Sequence, residues 1–274
     1  MQTTDCLKFV ACYYFCLFLS HPRLIYGLAI LQMVESIGGR LVENVDEASS
    51  ATHVIAGDGK IPLRRTPKLM ICICCTSNIL NMSWLIDSAK YRQPLDCGGY
   101  LLLNDNNAEK AYNFCMHDTL ENGHRIRSRR GGLLVGWSVL FVKGVAGNKA
   151  PPANELSLII DAAGGDSLKS LSLRETRGID PTKIIIITSD PATEAQTSAK
   201  DVTRLSFLGA ALFTTSWLFH CMITQKLHVL EEEDELKTEV ASMGLEHTPS
   251  PSRERKRRAG QIPDSARRSS RLKS

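Results

Sequence analysis

Hydrophobic positions along this chain change period several times, and each change marks an element. Residues 28–37 (LAILQMVESI) place apolar side chains at helical spacing and stop at Gly38-Gly39. A helix end needs such a residue, because glycine turns left-handed without a steric penalty. Residues 40–45 and 52–56 (THVIA) read as short strands, parted by a polar Asp-Glu-Ala-Ser-Ser turn. Residues 69–75 (LMICICC) are apolar on every side, which predicts a helix buried on more than one face. Thr66 can cap its start, and Pro67 suits the first helical position, where no N–H partner is needed. Ile79-Leu80 then reads as a short strand. A helix opens at Ser83-Trp84-Leu85-Ile86 and ends near Tyr91, before Pro94.

The same order then recurs. Residues 137–145 (WSVLFVKGV) form a strand, and residues 155–163 a helix stopped by Gly164-Gly165. Residues 183–188 (KIIIIT) are a β-branched run of the kind found in strands covered on both faces. A helix over 193–208, a strand over 211–214 and a last helix opening at Ser216-Trp217-Leu218-Phe219 complete the series. Gly39 to Trp84 in the first half spans nearly the same length as Gly165 to Trp217 in the second. One unit is therefore present twice. Strands alternating with helices predict an α/β fold with parallel sheets, and Trp84 and Trp217 are read as core anchors.

Composition leaves this picture standing and adds two ends. A chain of 274 residues, 43% apolar and 23% charged, suits about two globular domains. Its formal charge of +4 is uneven: residues 251–274 hold nine Lys/Arg against two Asp/Glu, a local +7 that leaves −3 on the remainder. The body is thus too acidic for a general nucleic-acid surface, and direct nucleic-acid contact is expected only through the tail. Residues 247–274 turn to Pro, Ser and Arg, the composition of a disordered segment. Within it, Arg253, Arg255, Lys256, Arg257 and Arg258 look like a nuclear localisation signal. At the other end, residues 9–19 (FVACYYFCLFL) are too short to span a membrane. A signal-peptide core, an extra buried strand, or sequence ahead of the true domain all fit residues 1–22. Weak early positive charge and the lack of a clear cleavage site count against export. Nine cysteines without paired spacing read as reduced, buried thiols.

The chemistry points to one place. Arg64-Arg65-Thr66-Pro67-Lys68 stacks three cations on the positive end of a helix dipole, where acids usually sit. Such a mouth attracts an anion, and phosphate is the natural guest; a solvated basic turn is the plainer alternative. Other candidates carry little. Gly57-Asp-Gly-Lys60 lacks the spacing of a phosphate loop. Cys72, Cys74 and Cys75 sit on the buried helix, and Cys115 and His117 face opposite sides of theirs. His53 lies in a strand and reads as a core histidine. No catalytic residues, cofactor or metal site are expected.

A Gly-Gly closing the first helix, a Thr-His-Val-Ile strand and a Trp-Leu in the last helix resemble the BRCT repeat. Two copies resemble the tandem BRCT module of DNA-damage checkpoint mediator proteins. The resemblance implies two tandem BRCT-like repeats, each a short parallel four-stranded sheet flanked by helices. The first repeat would occupy 23–95, a helical linker 96–132, the second repeat 133–235, and the disordered basic tail 247–274. It implies a non-catalytic nuclear scaffold or adaptor that binds phosphoserine peptides in the DNA-damage response. Lys68 would match the phosphate lysine, with Thr66 beside it, and Arg65 or Arg64 the arginine that orients the peptide. A phosphorylated nuclear protein is the implied partner, one form being a phosphoserine near a C-terminus, as in a histone tail. No membrane is implied. The family's first strand ends in Ser/Thr-Gly; residues 22–27 would be that strand here and would offer Tyr26-Gly27, with Gly27 at the phosphate. The alternatives are a phosphate-independent protein–protein scaffold and the non-catalytic end of a repair enzyme. Gly38, Gly39, Gly164 and Gly165 would be structural.

Overall fold

Two sheets of the same wiring organise the chain. The computed structural model describes residues 13–18, 25–56, 62–147, 150–170, 172 and 174–228, all within one compact unit of residues 1–229. In the first repeat, β1 (Tyr13–Phe18), β2 (Gly39–Leu41), β3 (His53–Ala56) and β4 (Ile79–Leu80) form a parallel sheet in the order β2-β1-β3-β4. In the second, β5 (Ser138–Phe141), β6 (Asp166–Leu168), β7 (Ile184–Thr188) and β8 (Ala211–Thr214) repeat it as β6-β5-β7-β8. Parallel strands need crossovers, and the helices supply them. These are α1 (Ile25–Ser36), α2 (Pro67–Cys75) and α3 (Met82–Tyr91) in the first repeat. The linker forms α4 (Asn106–Tyr112) and α5 (Met116–Arg130), and the second repeat has α6 (Ala153–Ala162), α7 (Glu194–Thr197), α8 (Lys200–Phe207) and α9 (Thr215–Thr224).

The strand at the centre of the first sheet is not the expected one. Residues 22–27 read as the opening strand, but α1 begins at Ile25 and takes Gly27 into its first turn. The opening strand is β1, drawn from the apolar run 9–19. It pairs with β2 on one side and β3 on the other, as Phe15↔Leu41 and Phe15↔His53 show. Phe15 is fully buried, in one cluster with Val34, Ile55, Leu80 and Trp84. The first repeat therefore begins before residue 23. Residues 193–208 likewise form two helices, α7 and α8, and not one.

Each glycine pair does two jobs. Gly38 and Gly164 adopt φ of +74° and +79°, the left-handed turn that ends α1 and α6. Gly39 and Gly165 pass close to a neighbour: a Cβ on Gly39 would collide with the Phe15 ring, and one on Gly165 would lie 2.8 Å from Leu134 Cβ. Trp84 is fully enclosed and donates its indole N–H to the Leu95 carbonyl at 3.0 Å. Trp217 is only half-buried. It follows the edge strand β8 and stacks on Phe213 with ring centroids 3.8 Å apart, so it lacks cover on its outer side. The buried tryptophan of the second repeat is Trp137, with the Lys183 ammonium 4.7 Å over its ring. The basic tail, with Arg253 to Arg258, lies outside the described residues.

Candidate anion-binding site at the start of helix α2

α2 is enclosed because its sequence leaves it no polar face. Leu69, Met70, Ile71, Cys72, Ile73 and Cys74 are all buried. One side meets the first repeat, where the Cys72 thiol donates to the Ala48 carbonyl at 3.7 Å. The other packs on α6 and α9 of the second repeat and on α5 of the linker. There the Cys74 thiol donates to Met222 Sδ at 3.7 Å and receives the Gln225 amide at 3.5 Å. Burial pushes the Cys74 thiol up to about 12, so it stays protonated and unreactive.

The C-terminal end of α2 is closed by an arginine from the linker. Arg127 donates to the carbonyls of Ile73 and Cys74 at 2.9 and 3.2 Å and also to Ser77 Oγ. A cation on the last carbonyls satisfies them and answers the negative dipole end. Burial is the main influence on Arg127 and lowers its pKa. Two further hydrogen bonds run from α5 to α9: Thr119 Oγ1 to the Ile223 carbonyl at 2.6 Å and Asn122 Nδ2 to the Thr224 carbonyl at 3.1 Å.

At the N-terminal end the expected residues meet, with altered duties. Thr66 caps α2, its hydroxyl accepting from Leu69 N–H at 3.2 Å. Pro67 has no N–H, and Met70 N–H donates to the Thr66 carbonyl at 3.0 Å. Among the described residues, that leaves the Lys68 N–H as the one first-turn donor without an acceptor. The Lys68 ammonium donates to the Val42 carbonyl at 2.7 Å and the Glu43 carbonyl at 3.0 Å, fastening α2 to the segment after β2. Two of its three protons are thereby engaged. Arg65 lies over the Tyr112 ring, 4.4 Å from its centroid, and Arg64 is exposed. Among the described residues no carboxylate forms an ion pair with Arg64, Arg65 or Lys68. Gly27 stands in the first turn of α1 and not at a strand end.

Three residues of this arrangement escaped the sequence: Arg127, Asp105 and Tyr112. Asp105 accepts from Leu63 N–H at 2.8 Å, tying the chain just before the mouth to the linker. Its capping role for α4 is a local signal that could have been read; its bond to Leu63 is not. Elsewhere, His117, Asp118 and Glu121 bring potential ligand atoms within 4.8 Å of one another on an exposed stretch of α5, an ordinary solvated helix face.

No protein-family model and no curated protein sequence matches this chain. In structure it is similar to the crystal structure of the S. pombe Brc1 BRCT5-BRCT6 domains, with a TM-score of 0.56 and 20% identity over 79% of this chain and 94% of that one. The fold is a tandem pair of BRCT repeats. S. pombe Rad4 BRCT3,4 is matched at a TM-score of 0.27 and 11% identity, over 78% of this chain and 92% of that one. Yeast Rtt107, in a structure with Mms22, is matched at 0.26 and 15%, over 78% and 46%. At those scores the superpositions carry no weight. Within the tandem BRCT fold, α2 belongs to the first repeat yet packs on α6 and α9 of the second.

Proposed function

We propose that this chain is a nuclear, non-catalytic scaffold that reads phosphoserine peptides in the DNA-damage response. The observation that carries the reading is the start of α2. Three cations without an ionic partner among the described residues surround a helix N-terminus that retains one unpaired N–H. A phosphate there meets charge-assisted donors and the positive end of a dipole. The resemblance to checkpoint mediator modules supplies the pathway, and the basic segment at residues 253–258 supplies the nuclear address. A second reading is favoured by one contact. Lys68 is committed to two carbonyls, which suits a phosphate-independent scaffold in which the lysine is structural.

Calorimetry with matched phosphorylated and plain peptides separates the two. Phosphate should raise affinity, and Arg65→Gln should lower it by about one decade, the worth of a charge-assisted bond. Lys68→Glu should lose binding and also some fold stability. Equal affinity of the intact chain for both peptides would leave the packing scaffold as the answer. Loss of nuclear enrichment on deleting residues 251–274 tests the address; unchanged enrichment removes it.

A further inference from the structure

The approach to α2 is held from outside its own repeat. Asp105 Oδ2 accepts from Leu63 N–H at 2.8 Å, while Oδ1 of the same carboxylate caps α4 by accepting from Ala108 N–H at 3.0 Å. Tyr112, the last residue of α4, lies under Arg65 with the guanidinium carbon 4.4 Å from its ring centroid. One end of the linker helix thus grips the residue before Arg64, and the other end grips the residue after it. Lys68 is engaged by carbonyls. The Arg65 guanidinium is different: among the described residues no hydrogen bond or ion pair engages its donors. A ring attracts a cation through its face and takes none of its N–H groups, so the arginine is held and still able to donate.

We propose that Tyr112 is a positioning residue for Arg65, and that with Asp105 it makes α4 the element that aims the anion site. The inference rests on the phosphate-reading function above and adds to it a residue and an element. An arginine already confined loses less freedom when it binds, and its planar fork suits a carboxylate in two parallel bonds. The gain from Tyr112 is therefore greatest for a phosphoserine peptide with a free C-terminal carboxylate within reach of Arg65.

The test uses the full chain and two phosphoserine peptides, identical except that one ends in a free carboxylate and the other in an amide. Tyr112→Leu should weaken the free-carboxylate peptide about three- to tenfold and the amidated one less. Tyr112→Phe, which keeps the ring, should bind as the parent does. In an Arg65→Gln background, Tyr112→Leu should have no further effect. A merely structural tyrosine would instead weaken both peptides alike and do so with or without Arg65, which would overturn the proposal. A ligand-free measurement stands beside it. The Arg65 δ-methylene protons should show a ring-current shift in nuclear magnetic resonance that survives Tyr112→Phe and vanishes in Tyr112→Leu. If the parent chain ignores phosphate altogether, the phosphate reading falls. The ring-current result then decides the positioning alone: present and ring-dependent upholds it, absent overturns it.

Discussion

A methyl group added at Gly39 would enter the space of the Phe15 ring, which is fully buried where β1 crosses the sheet. Nothing lies within 4 Å of the same addition at Gly38, whose constraint is its backbone φ of +74°. The two substitutions should therefore fail differently. Gly39→Ala is an overpacking change and should cost about 2–3 kcal/mol in urea unfolding. Gly38→Ala meets only left-handed strain and should cost about 1 kcal/mol. A Gly38 change that is the costlier of the two would contradict the packing described. His53 gives a second test at this scale. It is buried against Phe15 and Trp84, with ring centroids 5.2 and 5.1 Å away, and burial lowers its pKa from 6.5 to about 4. The unfolded chain therefore binds a proton more readily than the folded one. Stability is complete above pH 6.5 and falls as pH drops toward 4, by on the order of 2 kcal/mol once residual solvent screening is allowed for. His53→Phe should flatten that slope; an unchanged slope would assign it to the carboxylates. Thr66 and Pro67 were legible because capping is a local rule. Tyr112 was not, because its partner Arg65 lies far away in sequence and nothing beside either residue announces the other.

At the scale of elements, α2 has an open start and a closed end. Removing the closure should loosen the helix without touching its core residues. Arg127→Ala leaves two carbonyls of a half-buried helix end without their cation and should cost about 2–3 kcal/mol. Arg127→Lys should recover part of this, and denaturant midpoints for the pair check it; a neutral Arg127→Ala would mean that water serves those carbonyls as well. The elements also show where sequence patterns lose resolution. The all-apolar 69–75 run read as a helix buried on several sides because Thr66 and Pro67 mark a helix start just before it, and it is one. The 9–19 run left a strand, a signal-peptide core and sequence ahead of the domain open, because an unbroken apolar stretch has no period; residues 13–18 of it pair with β2 and β3 as a strand. β6 was missed because three half-exposed residues, Asp166–Leu168, carry too little pattern to register.

Across the whole molecule, the repeats meet through α2, α6 and α9, with α5 laid against them. The duplicated order of elements was visible in the sequence because the glycine pairs and tryptophans fall at matching intervals. The seam was visible only as surplus apolar surface on one helix. A fragment of residues 1–130 would lose α6 and α9 and expose the side of α2 that carries Cys74. It should be insoluble or molten, with dye-binding apolar surface and no cooperative unfolding. A fragment that unfolds cooperatively would show the first repeat to be independent.

The helix whose start carries the cations is also the keel on which both halves are assembled. If that start captures an anion as proposed, its binding and the cohesion of the halves draw on one free energy, and linkage makes the exchange reciprocal. Whatever tightens the grip of α6 and α9 steadies the mouth of α2, and an anion seated at that mouth clamps the halves in return. A substitution deep in the second repeat, touching no ligand atom, can then be felt as a change in recognition. On the proposed function, the second repeat would take part in reading a mark held at the start of a first-repeat helix.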